Sequence, residues 1–203
     1  MTACRTRFFL PVAVVLVSGI TLQAEVRPIP TGGFVVTHEL LLPGSPEAIF
    51  DAVTGDISGW WDHSMSESPQ ALYIEPKPGG GFYEIFDDEG NGVLHATVIY
   101  ADRGKLLRFV GPLGFSGSAL SLVTSYEFLP HANPQDSGLV RSGDSTLLKL
   151  KVSAAGEVAE GWSDAVDGAW HHFLFERLKP YVEEGRHRDN PPKPRKAGVS
   201  PPK

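Results

Sequence analysis

The stretch from Glu157 to Glu184 constrains the fold more than any other part of the chain. Turned by roughly 100° per residue, Trp162, Val166, Trp170, Phe173, Leu174, Leu178 and Tyr181 all fall within about 80° of one line. Such a stripe, about six turns long, needs a broad apolar layer to cover it. His172 and Glu176 point away from it, and His171 sits at its edge. One residue breaks the pattern: Arg177 falls near the stripe's centre.

The covering layer is visible upstream. Phe34 to Leu42 alternates, with Val36, His38, Leu40 and Leu42 on one face and Thr37 and Glu39 on the other. Pro43-Gly44 ends that strand. Ser45 then caps a helix with Pro46 at its first position, Glu47 in its first turn and an Ile49, Phe50, Val53 stripe. Gly55 separates this helix from a second short one, Ile57 to Asp62, which contains Trp60 and Trp61. Further strands are expected at Ala71 to Glu75, Gly81 to Phe86, Gly92 to Tyr100, Lys105 to Val110, Ser118 to Phe128 and Ser145 to Val152. Turns such as Asp88-Glu89-Gly90-Asn91-Gly92 join them, with no helices between, which argues for an antiparallel meander. Pro130 to Asp144 reads as a long hairpin loop.

Compartment and charge follow from the two ends. Arg5 and Arg7 precede an apolar run, Phe8 to Ile20, and Leu22-Gln23-Ala24 offers a cleavage point. Residues 1–24 therefore read as a secretory signal peptide, with a retained anchor as the alternative. The one cysteine, Cys4, leaves with the signal, so the exported chain relies on its core rather than on disulfides. The expected localisation is periplasmic or secreted, with no integral membrane segment after cleavage. Residues 25–33 form a linker, 34–184 one domain, and 185–203 a basic, proline-rich disordered tail. The chain has 18 Lys+Arg and 24 Asp+Glu residues. Without the tail and the two signal arginines, 10 basic and 23 acidic residues remain, a formal charge of −13. A domain that acidic is unsuited to nucleic acid or anionic lipid.

The order of elements, the Leu41-Leu42-Pro43-Gly44-Ser45-Pro46-Glu47-Ala48-Ile49-Phe50 segment, Ile57 to Trp61, Gly79-Gly80-Gly81-Phe82 and the close from Glu160-Gly161-Trp162 through Trp170 to Tyr181 carry a resemblance. The chain resembles the START-like (SRPBCC) superfamily, in particular the branch named for an activator of the heat-shock chaperone ATPase. The resemblance spans about Phe34 to Glu184. It implies an α+β helix-grip fold, in which a curved antiparallel sheet of about six or seven strands wraps a long C-terminal helix. Two short helices follow the first strand, and a cavity lies between sheet and helix. Chaperone activation is not carried over, because that partner is cytosolic and this chain has an export signal.

A cavity of this kind takes a small apolar or amphipathic molecule, held by apolar walls and a few polar groups. The residues expected to contact it are His38, Trp60, Phe109, Tyr126, Trp162, Trp170, Phe173 and Arg177. Leu107, Leu122, Thr124, Leu148, Leu150 and Val166 lie beside them. Two adjacent indoles cannot both point inward, so one of Trp60 and Trp61 packs in the core and the other lines the cavity mouth. Arg177 either snorkels past Tyr181, pairs with an acid on the sheet, or meets a ligand carboxylate. The seven histidines show no metal-ligand spacing, and the side chains of His171 and His172 diverge, so neither a metal nor another cofactor is expected. Asp62-His63 could form an acid–base pair, although such neighbours commonly hydrogen-bond only to water. No nucleophile elbow, phosphate loop or dinucleotide fingerprint is present, and no catalytic residue is assigned. The competing readings are an enzyme using His95, Tyr126 or His38 on a hydrophobic or aromatic substrate, and an envelope stress or protein-interaction module.

Overall fold

The computed structural model describes residues 26, 28–131 and 145–189. The signal segment, most of the 130–144 loop and the tail beyond Asp189 lie outside them. The sheet has eight antiparallel strands: β1 (Thr31–Pro43), β2 (Gly55–Asp56), β3 (Ala71–Ile74), β4 (Gly81–Ile85), β5 (Gly92–Asp102), β6 (Leu106–Gly111), β7 (Leu120–His131) and β8 (Ser145–Glu157). Their order is β1-β8-β7-β6-β5-β4-β3-β2, so the first strand pairs with the last and the middle is a plain meander. The register stacks the apolar alternation into layers. Leu40 faces Leu148, which faces Phe128; His38 faces Leu150, then Tyr126, then Leu107.

Helix α1 (Pro46–Ala52) starts as its sequence dictates: the Ser45 hydroxyl accepts the Ala48 N–H at 3.3 Å, and Pro46 occupies the first turn. Its Phe50 packs on Phe128, with ring centroids 5.3 Å apart, and closes one end of the sheet. The second short helix does not form. Gly55–Asp56 adds a two-residue strand to the sheet edge, and the Trp60 and Trp61 N–H groups both bond the Ile57 carbonyl in a single turn.

The C-terminal helix begins later than its pattern suggested, because β8 continues through Glu157 and Gly161 adopts φ 80° just before Trp162. It is α-helical over Trp162–His171, widens to a π-helix over His172–Leu178, and returns to α over Lys179–Glu183. Val166, Trp170, Phe173, Leu174, Leu178, Tyr181 and Val182 are buried against the sheet. At the start of the predicted tail, Arg186–Asp189 forms a further helical turn. No helix among the described residues is long and apolar enough to cross a membrane.

Candidate functional site

A cavity of about 270 Å³ lies between the sheet and the C-terminal helix. Its walls are Trp61 and Phe82, the 3-10 turn Leu113–Phe115, Leu122 on β7, and Ala165, Val166, Ala169, Trp170 and Phe173 on the helix. His63, Ser64, Met65 and His95 complete it. The aromatic wall is continuous. The Trp61 indole stacks on Phe173 (3.9 Å, 13°) and meets Phe82 and Trp170 edge-on at 5.1 and 5.8 Å.

Two of the expected contact residues, Trp170 and Phe173, stand in this wall, and the others do not. Trp60 is buried in the core with its indole N–H on the Ala52 carbonyl at 3.0 Å, and its neighbour Trp61 faces the cavity instead. Phe109 and Tyr126 lie in the core, 6.2 Å from each other and with Phe109 6.3 Å from Phe82. Burial pushes the Tyr126 hydroxyl far above its ordinary pKa, so it stays neutral. Trp162 packs on Phe115, which lines the cavity, and so stands one ring removed from it. His38 is on the inner face of β1 but outside the cavity, where its Nε2 lies 3.1 Å from Asp167 and its ring abuts His171 and Phe175. Arg177 turns to the loop after Trp61, with its Nε 3.0 Å from an Asp62 carboxylate oxygen. Its partner is thus neither a strand residue nor positioned inside the cavity.

The polar feature of the cavity was only half legible. Glu84 is fully shielded from solvent on the same face of β4 as Phe82. Its carboxylate accepts hydrogen bonds from the Ser64 hydroxyl (2.5 Å) and from the Met65 and Ser66 N–H groups (2.9 and 3.0 Å). It also lies 2.9 Å from His95 Nε2. Burial raises the Glu84 pKa, but these hydrogen bonds together hold it below the ordinary glutamate value. His95 reaches it through a β-bulge. Phe82 pairs with Ala96 and Tyr83 with Leu94, leaving His95 as the extra residue, so His95 and Ala96 are both buried. Gly111 permits the close crossing there, since a Cβ would sit 2.4 Å from the His95 carbonyl oxygen. The signal for Glu84 was available: a lone charge at i+2 from Phe82 on an otherwise apolar strand.

A second polar cluster adjoins the cavity at His63. Asp62 Oδ1 lies 3.0 Å from both His63 Nδ1 and His172 Nε2, and the other nitrogen of His172 lies 2.8 Å from Glu176. Burial raises the Asp62 pKa, but hydrogen bonds to His63 and His172 and the charges of His172 and Arg177 overcome this and hold it low. The carboxylates of Glu176 and Asp62 raise that of His172. The expectation that no metal is held rested on sequence spacing, which cannot register a contact between residues 110 apart.

No family model matches this chain, and no curated relative matches it. Solved structures do. A protein of unknown function from Staphylococcus aureus aligns at TM-score 0.56 and 14% identity, covering 77% of this chain and 98% of its own. An uncharacterized protein from Rhizobium leguminosarum aligns at TM-score 0.51 and 15% identity, covering 78% and 99%. Norcoclaurine synthase from Thalictrum flavum is a weaker likeness, at TM-score 0.44 and 15% identity. At these identities the shared property is the fold, and it does not distinguish the chaperone-activator branch. The eight-stranded antiparallel sheet closed by a C-terminal helix is a helix-grip architecture.

Proposed function

We propose that this protein binds a small, largely apolar molecule carrying one hydrogen-bonding group in the cavity beneath its C-terminal helix, and that it does so outside the cytoplasm. The observation behind this reading is the aromatic-walled cavity of about 270 Å³ with His95 at its wall. Its volume lies just below the usual range of ligand sites, about 300 to 1,000 Å³, so the occupant is closer to a bicyclic aromatic than to a lipid. The stacked pair Trp61 and Phe173 suits a flat ring, and the imidazole of His95 suits a hydroxyl or carbonyl on it. The Arg5–Ala24 pattern supports export.

Native mass spectrometry of the untagged protein from its own host tests both parts. The mass should correspond to a chain beginning at Glu25, with a small molecule released on denaturation. In vitro, 2-naphthol should quench indole fluorescence saturably, and Ala169→Leu, which fills the cavity from its helical wall, should weaken that binding about tenfold. The absence of both a copurifying molecule and saturable binding of neutral aromatic probes would overturn the reading.

A second reading, an enzyme acting on the same class of molecule, rests on the Glu84–His95 pair. Of the three acid–base candidates, His95 alone lines the cavity, and a carboxylate bonded to one imidazole nitrogen fixes the ring and its tautomer for proton transfer. His95→Gln separates the two: a carrier keeps its affinity within a few-fold, whereas an enzyme loses turnover while still binding.

A further inference from the structure

We infer that Asp62, His63 and His172 form a binding site for a first-row divalent transition ion of the Zn²⁺ class at the rim of the cavity. Two imidazoles and one carboxylate offer the nitrogen and oxygen donors such ions take, a set that Mg²⁺ and Ca²⁺, which prefer oxygen, do not favour. The three donor atoms lie within 4.8 Å of one another. The Asp62 oxygen is 3.0 Å from each nitrogen. Tetrahedral zinc with bonds of about 2.0–2.1 Å holds its ligand atoms about 3.4 Å apart, so each oxygen–nitrogen pair needs to open by only a few tenths of an ångström, and the two nitrogens, within 4.8 Å of each other, settle to the same spacing.

The surroundings orient the donors independently of the cluster itself. The His172 ring has Glu176 at 2.8 Å on Nδ1, which directs Nε2 toward Asp62, the arrangement by which a carboxylate fixes a metal-binding histidine. The His63 ring packs edge-on to Phe173 at 4.7 Å. Arg177 lies on the second Asp62 oxygen, so Oδ1 can take the ion while Oδ2 keeps its cation. What the ion displaces is the pair of imidazole protons now directed at Asp62. His63 also belongs to the cavity wall, which puts the ion beside any molecule held there.

The test uses the untagged protein, stripped with a chelator and titrated with Co²⁺ and Zn²⁺. Co²⁺ should give visible absorption bands saturating at one equivalent, and Zn²⁺ should compete it off and raise the melting temperature. Asp62→Asn and His172→Gln should each abolish the bands. Glu176→Gln, which touches no ion, should weaken Zn²⁺ by about 10- to 100-fold. Mg²⁺ should have no effect. The absence of saturable Co²⁺ binding overturns the proposal. So does Zn²⁺ binding that the Asp62 and His172 variants, shown folded by circular dichroism, leave unchanged. Ligand binding by the cavity is read separately with 2-naphthol.

Discussion

Replacing Glu84 by glutamine changes almost no volume yet alters every hydrogen bond its carboxylate accepts. The oxygen that takes the Ser64, Met65 and Ser66 donors can be kept by the amide carbonyl, which leaves the amide nitrogen facing His95. The imidazole can answer by shifting its proton to Nδ1, where the Leu113 carbonyl stands at 3.5 Å. Hydrogen bonds to a charged group contribute about 1.5–3 kcal/mol each and neutral ones about 0.5–1.5, so four weakened bonds cost roughly 4 kcal/mol. Part of this returns because a buried carboxylate no longer has to be desolvated, and the expected net loss is about 2 kcal/mol. For a domain of this size that is a fall of about 6 °C in melting temperature. The pH dependence has a definite sign. Glu84 is held below the ordinary glutamate value, so its contribution is present above about pH 4.3 and is lost as pH falls through the folded value. Urea unfolding from pH 7 down to pH 3 should show the gap between wild type and Glu84→Gln widest above pH 5 and closing toward the acid end. A variant as stable as wild type at pH 7, or two parallel pH profiles, would refute the reasoning.

Arg177→Met should leave the melting temperature nearly unchanged, because the ion pair to Asp62 is substantially exposed on both sides and such pairs contribute about 0–1 kcal/mol. A loss above about 2 kcal/mol in urea unfolding would mean that the guanidinium holds the loop in place. Gly59→Ala should destabilise by about 1–3 kcal/mol, since a Cβ there would sit 2.5 Å from the buried Tyr181 ring. Equal stability in thermal melts would show that the ring can retreat.

The scaffold was legible because its signals are periodic. The six expected meander strands are present as β3 to β8, and the α1 start is fixed by Ser45 and Pro46 within a few residues of chain. The site was less so, and for identifiable reasons. Period-two alternation cannot locate a bulge, so it left the direction of His95 open, and the bulge decides it. For adjacent residues such as Trp60 and Trp61, the pattern says that one points inward but not which. The turn at Ile57 resolves it by handing Trp60 the Ala52 carbonyl and Trp61 the Phe173 face. His38 satisfied the inward alternation of β1, yet β1 lies toward the opposite end of the sheet from β4, whose Phe82 lines the cavity. The expectations for the segment before Glu25 and for the tail beyond Asp189 fall outside the described residues.

The apparent misplacement of Arg177 has a geometric origin. The helical stripe was drawn at a constant α-helical turn, in which residues five apart stand about 140° from each other. From His172 to Leu178 the backbone bonds i to i+5, so residues five apart come nearly into line. Two pairs exploit that alignment. Phe173 and Leu178 are both buried, and His172 and Arg177 both lie 3.0 Å from Asp62. Pro180, which has no N–H to return to the Glu176 carbonyl, follows directly and leaves that turn without its regular α-helical bond. The widened turn therefore does two things at once. It keeps Phe173 stacked on Trp61 in the cavity wall, and it swings the next charged residues toward the loop that carries Asp62 and His63. A strictly α-helical segment would separate His172 from Arg177 and leave Asp62 with one of them. Phe173 of the cavity wall and His172 and Arg177 of the polar cluster at its rim thus share one π turn, which explains why a reading based on the 3.6-residue period finds the first and misplaces Arg177.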